Sequence, residues 1–148
     1  MCTNTRPWTN RIAFGHEFSS YCLIARPQSM PGSVESVAFA LQKGLAAFLQ
    51  VESSDIGVSW RRSASRTAAS AGVEIILYDR TPGGSGFTKE GYENWERVVA
   101  RSALMCSECD CEIACYDCLK DYGNQTYHES LDRRAVVEFL DVKAASRL

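Results

Sequence analysis

Four cysteines fall within ten residues of this chain: Cys109, Cys111, Cys115 and Cys118, in the spacing C-x-C-x3-C-x2-C. No other feature limits the fold as strongly, because a loop this short must be organised around whatever holds its four thiols. Thiolates are soft ligands, and four at short spacing suit one tetrahedral zinc ion with bonds of about 2.3 Å. An iron–sulfur cluster also takes four cysteines, but the ferredoxin spacings differ from this one. Zinc is therefore the first expectation. Four thiolates leave no open coordination position, so the site is expected to be structural and not catalytic. The anionic centre calls for counter-charge from Lys120, Arg133 or Arg134, and for loop amides donating to the sulfurs. Cys106 is spare, and a minor alternative set would be Cys106, Cys111, Cys115 and Cys118.

The chain has 148 residues, a length that suits one domain, and seven cysteines, an odd number. The opening MCTNTRPWTN has no apolar core of a secretory signal, so the cysteines read as metal ligands in a reducing cytosol and not as a disulfide framework. Cys2 and Cys22, far off in sequence, read as free thiols. The most apolar stretch, VAFALQKGLAAFL, is interrupted by Gln42, Lys43 and Gly44 and falls short of the ~20 residues that cross a bilayer. No membrane partner is expected. A net charge of −2 excludes a polyanion binder by overall charge alone. Basic patches remain at Arg61, Arg62 and Arg66 and at Arg133 and Arg134.

Tyr21 to Arg26 alternate and suggest a strand ending at Pro27. PQSMPG reads as a loop. Ser33 is placed as the N-cap of an amphipathic helix whose stripe is Val34, Val37, Ala38, Leu41, Leu45, Phe48 and Leu49. Gly44 weakens this helix but can admit a neighbour at close range. DIGVSW alternates as a short half-buried strand, and RRSASRTAASAG reads as a loop or flexible hairpin end. VEIILYD, residues 73–79, is a continuous apolar run and reads as a buried central strand. TPGGSG then turns the chain. A second helix is expected from Thr88 to about Met105, with Tyr92, Trp95, Val98, Val99, Ser102, Leu104 and Met105 inside. A last helix begins near Ser130 or Asp132 and runs to about Ala144. The expected class is α+β, mixed α/β: a small sheet packed with about three helices and a cysteine knuckle near the C-terminus.

Two further constellations bear on chemistry. Gly83, Gly84 and Gly86 after a buried strand can offer amides to an anion, but the spacing is neither G-x-x-x-x-G-K-[ST] nor G-x-G-x-x-G. The plainer expectation is a sharp turn with close packing. GNQTYHESLDRR brings Asn124, His128, Asp132 and Arg133 together, where they can cap the last helix and brace the cysteine loop. His16, Glu17, Asp79 and His128 are the candidates for a hydrolytic or second metal centre. No H-E-x-x-H or G-x-S-x-G accompanies them.

GHEF, LYDRTPGGSGF and CDCEIACYDCLKDYGNQTYHESLDRR occur in that order, and together they resemble the MZB domain, the zinc-binding module named for the Mrf helicase. The same module lies in the DrmB-type protein of the DISARM phage-defence system and near the C-terminus of many DExH-type helicases. The likeness runs from about Arg11 to Leu140, within a single domain whose core is expected over residues 11–142. It implies zinc on Cys109, Cys111, Cys115 and Cys118 and an association with superfamily 2 helicases acting on DNA in repair or defence. Gly83, Gly84, Gly86, Asp79 and Pro82 match the family's loop. Ala114 stands where the family usually has glycine, a small change unless φ is positive there.

No Walker motif and no D-E-x-H box is present, so the chain is either a cut-out module or a separate subunit, and in the second case ATP-driven work is expected on a partner chain. The leading expectation is a non-catalytic, cytoplasmic accessory module of a DNA helicase or defence complex, with Arg61, Arg62, Asn124, Arg133 and the glycine loop as possible ligand or DNA contacts. A metal-dependent hydrolase or nuclease, and a protein-interaction module without nucleic acid, are the alternatives.

Overall fold

The computed structural model describes residues 16–29, 31–62 and 72–140. Cys2, residues 11–15 of the first apolar segment, Arg66 with most of the basic loop, and the last helix beyond Leu140 lie outside these residues.

Among these residues three strands form an antiparallel sheet in the order β1-β3-β2: β1 is Cys22–Ala25, β2 is Ile56–Arg62 and β3 is Val73–Asp79. The apolar run of β3 explains its central place, since a middle strand is covered on both edges. Ile75 and Leu77 of β3, Leu23 of β1 and Ile56 of β2 are buried in one core, and Val58 and Trp60 pack against it. On the opposite face the Tyr78 ring lies over its register partner Gly57, where a Cβ would come within 2.1 Å of the ring. Arg61 and Arg62 belong to β2 and not to a loop; the ladder with Glu74 and Val73 carries the strand past the alternating DIGVSW segment.

Among the described residues four α-helices accompany the sheet. Helix α1, Val34–Leu49, starts as its sequence requires: the Ser33 hydroxyl accepts from the Ser36 amide at 3.1 Å. It ends at Gln50, which adopts the left-handed conformation at φ 58° and bonds back to Ala46. Val37, Ala38, Leu41 and Leu45 are fully buried along its inner face. The expected second helix is two. Helix α2 runs over Phe87–Glu93 and α3 over Trp95–Ser107, separated at Asn94, whose φ of −119° breaks the helical path. Close packing accompanies the break: a Cβ on Gly91 would lie 2.6 Å from Leu45 Cδ1, so α2 presses its glycine on α1. The inner face of α3 is Val98, Val99, Ser102, Ala103 and Cys106. Tyr92 and Leu104, expected inside, are exposed. Helix α4, Arg133–Leu140, begins after Asp132, whose carboxylate accepts from the Arg134 amide at 2.9 Å.

Among the described residues no helix is long and apolar enough to cross a membrane.

Candidate metal centre

The chain leaves α3 at Glu108 and enters a compact loop carrying the four cysteines. The carbonyl of Cys115 accepts from the amides of Leu119 at 3.0 Å and Lys120 at 2.8 Å, closing a tight turn that returns Cys118 towards Cys115. Cys118 and Leu119 are completely buried, so the loop is pinned to the core at its end.

The four sulfurs converge. Cys109 and Cys115 are 3.4 Å apart, Cys111 and Cys118 3.6 Å, and Cys115 and Cys118 3.9 Å. All four Sγ atoms lie within 4.8 Å of one another, and none is in a disulfide. Tetrahedral zinc with bonds near 2.3 Å places its sulfurs about 3.8 Å apart, so the spacing matches the edges of such a tetrahedron. The donor chemistry agrees. Burial first, and then the Cys109, Cys118 and Cys115 sulfurs, push the Cys111 thiol up to about 12. Burial also acts upwards on Cys115, but hydrogen bonds from Cys109 and from the Asp117 and Cys118 amides hold it at about 7. Thiols packed so tightly become four thiolates only around a cation. The Cys115 amide donates to Cys118 Sγ at 3.3 Å, as expected for a sulfur that carries negative charge.

Cys106 is not a member. It lies on the inner face of α3, completely buried, and outside the four-sulfur group. Burial, then Cys118 and Cys109, push its thiol up to about 12, so it packs as a small apolar side chain. The alternative set with Cys106 in place of Cys109 is thereby corrected.

The loop is held from two sides. Arg133 Nε donates to the Cys111 carbonyl at 2.7 Å and Arg133 Nη1 to the Cys106 carbonyl at 3.0 Å, while its amide bonds to Ile113. From α1, Lys43 Nζ donates to the carbonyls of Tyr116 at 2.7 Å and Lys120 at 3.0 Å. In the sequence Lys43 stands out only as an interruption of an apolar stretch. Its signal was there: a lysine on the buried side of a helix needs acceptors at its end. Arg134 pairs with Asp132 instead of the cysteine loop.

Beyond Cys118 the polar tail is a scaffold. Asp121 and Asn124 form a reciprocal cap on a short 3-10 turn, Tyr122–Tyr127. Asn124 is buried, accepts from the Asp121 amide at 2.8 Å and donates to the Leu119 carbonyl at 2.9 Å. His128 Nε2 lies 2.9 Å from Asn124 Oδ1 and 3.0 Å from the Asp121 carbonyl, with Tyr116 edge-on to its ring.

The remaining candidates lie elsewhere. Asp79 is completely buried at the end of β3, and its carboxylate accepts from the amides of Gly86 at 2.6 Å, Phe87 at 3.2 Å and Thr88 at 2.9 Å. It therefore occupies the position at the start of α2 that an external anion would need. Gly83 and Gly84 donate to the carbonyls of Ser19 and Thr81, and Gly83, Gly84 and Gly86 all have φ above 80°. The loop is a sharp internal turn, as the plainer expectation had it. His16 and Glu17 are exposed, with His16 stacked on Phe18. Among the described residues only the four cysteines form a group of three or more His, Cys, Asp or Glu side chains that could hold an ion; His16, Glu17, Asp79 and His128 form none. Arg61 pairs with Glu74 at 2.8 Å, and Arg62 is exposed at the end of β2.

A small α+β fold closed by four convergent thiols defines a zinc-binding module. The model of the MrfA Zn-binding domain, MZB, matches residues 37–119, and the chain belongs to that family. Two curated proteins are similar. Druantia protein DruE of Escherichia coli is 24% identical over 86 residues, 58% of this chain and 5% of that protein. Uncharacterized protein MJ1572.1 of Methanocaldococcus jannaschii is 27% identical over 94 residues, 64% of this chain and 84% of that one. Among solved structures, the DUF1998 helicase MrfA bound to DNA superposes with a TM-score of 0.55 at 20% identity, over 74% of this chain and 14% of the helicase. The same helicase bound to DNA and AMPPNP gives 0.59 at 18% identity, over 82% and 15%. These likenesses show the fold. The chain spans a small fraction of DruE and of the helicase.

Proposed function

We propose that this chain is a zinc-stabilised accessory module, without catalysis of its own, that works with a DNA helicase in a cytoplasmic phage-defence (DISARM-like) or DNA-repair complex. Cys109, Cys111, Cys115 and Cys118 hold the single zinc ion, within one domain whose core spans residues 11–142. The observation that carries the reading is the closed four-sulfur centre, tied through Lys43 to α1 and through Arg133 to α4. Such a centre fixes a surface and leaves no coordination position for a substrate. The MrfA helicase, solved with DNA bound, supports the helicase context, and the likeness to the Druantia protein DruE supports the defence context. The module contributes partner docking and, through the complex, DNA contact. Arg61 and Arg62, at the exposed end of β2, are the residues this reading assigns to phosphate, with Arg61 also paired to Glu74.

The test is affinity capture of the tagged full-length chain from its native host, followed by mobility-shift and unwinding assays with the captured partner. A stoichiometric helicase or defence subunit is expected, with DNA affinity or unwinding raised when this chain is added. No change in either on adding the chain would sink the reading.

A further inference from the structure

A groove of about 620 Å³ opens between α1, β2 and the turn after the metal centre. Its wall is an aromatic triad. The Trp60 and Tyr127 ring centroids are 5.2 Å apart, Phe39 and Tyr127 5.4 Å, and Phe39 and Trp60 5.7 Å. Tyr122 stands on the rim and is 85% exposed. The Glu35 and Asp121 carboxylates line the same groove, and Glu35 has no ion pair among the described residues.

The loop that leads into the groove's turn is acidic in its own sequence, with Lys43 and Arg133 docked on it from α1 and α4. Residues 108–121 carry five carboxylates, Glu108, Asp110, Glu112, Asp117 and Asp121, against the single Lys120. The first four are exposed. A zinc–tetrathiolate centre adds further negative charge to this end of the molecule. Phosphate backbone is repelled from such a surface, and a basic partner is drawn to it. The two carboxamides of the groove, the groups best suited to read a nucleobase edge, are already used. Gln42 Nε2 bonds to the Ser53 and Ile56 carbonyls, and both ends of the Asn124 amide are bonded inside the turn. Electron-rich rings beside carboxylates are the setting in which a guanidinium or ammonium group binds.

We propose that this groove docks a basic segment of the partner protein, with an arginine or lysine side chain laid on the Trp60–Tyr127 wall beside Glu35 and Asp121. The assignment rests on the reading of the chain as a module that docks on another protein. Strand β2 then presents Trp60 to the partner protein and, next along, Arg61 and Arg62 to DNA where it is contacted. Arg80 also lines the groove and is exposed, and as a like charge it opposes the occupant.

The experiment uses the full, zinc-loaded chain labelled with nitrogen-15 and follows the Trp60 indole N–H, recognised by its loss in Trp60→Phe. The probes are a peptide of alternating arginine and glycine and, separately, a thymidine oligonucleotide. The peptide is expected to move the Trp60 resonance saturably. Glu35→Gln combined with Tyr122→Ala weakens that binding about tenfold, and Arg80→Gln tightens it. An unmoved indole overturns the proposal. So does movement by the oligonucleotide in place of the peptide, with Arg80→Gln weakening it. A partner complex captured undiminished by the Glu35→Gln, Tyr122→Ala variant also overturns this surface, while leaving the accessory-module reading intact.

Discussion

Gly44 of α1 and Ser102 of α3 meet without room for another atom: a Cβ on Gly44 would lie 1.9 Å from Ser102 Oγ and 3.0 Å from its Cα. Ser102 is completely buried and its hydroxyl is returned to the Val98 carbonyl at 2.8 Å, so it cannot swing aside freely. Gly44→Ala raises helix propensity by ~1 kcal/mol, yet it forces the two helices apart. A net loss of about 1–3 kcal/mol is expected in urea denaturation. Ser102→Gly in the same chain should recover part of it. A more stable Gly44→Ala single variant would contradict the contact.

Metal content separates the cysteines. Native mass spectrometry of the full chain is expected to find one zinc ion, retained by Cys106→Ala and lost or sharply reduced in Cys115→Ser. The Cys106 change costs about 1 kcal/mol, because it removes only a buried sulfur. Chelation is expected to lower the melting temperature of the wild type and of Cys106→Ala alike, since metal binding is coupled to folding. Zinc lost from Cys106→Ala and kept by Cys115→Ser would reverse the assignment.

Arg133 supports the centre without touching the metal. Replacing it by lysine removes the forked donation to the Cys111 and Cys106 carbonyls while keeping the charge. Zinc affinity, measured by competition with a chromogenic chelator, is expected to fall about 10- to 100-fold. An affinity unchanged in Arg133→Lys would show that charge alone is what matters there.

Asp79 replaces a ligand with part of the chain itself. Asp79→Ala leaves the Gly86, Phe87 and Thr88 amides without their acceptor and is expected to cost about 3 kcal/mol. Proteolysis under native conditions should then cut first near Thr81–Thr88. Unchanged protection of that loop would argue against the bonding described.

Acid stability should pass through Glu74. Its hydrogen bonds to Arg61, and next to Arg26, hold the carboxyl below its ordinary value of 4.5. A depressed carboxylate stabilises the fold fully above that ordinary value, and the contribution is lost as pH falls through the lower folded value. The melting temperature of wild type minus that of Glu74→Gln is therefore expected to be positive at pH 6 and to shrink below about pH 4.5. Comparing the two chains cancels the acid-driven loss of zinc common to both. A difference that grows on acidification would refute it.

What could be read from residues alone follows from the range of the forces involved. Helix α1 is legible in outline because Ser33 and the apolar stripe are local signals, whereas the residue that Gly44 admits, Ser102 of α3, is not written near it. The metal centre was legible because thiolate spacing is local too. The break at Asn94 was not, since Tyr92, Trp95, Val98 and Val99 keep a helical period across it, and the close approach of Gly91 to Leu45 is a tertiary fact. Likewise Arg61 and Arg62 look like a loop until β3 supplies their ladder. Lys43 is the clearest case of distance: its acceptors are the carbonyls of Tyr116 and Lys120, more than 70 residues on.

The strand order has a consequence for how the protein is made. Among the described residues β1 and β2 are not hydrogen-bonded to each other; each pairs with β3, and Cys22 must wait for Tyr78. On the ribosome, two strands and the long helix between them therefore emerge before the strand that joins them exists. The thiols that close the loop come later still. A stall anywhere before Asp79 would leave a nascent chain with unsatisfied edges and an uncovered helix face, a natural substrate for chaperones.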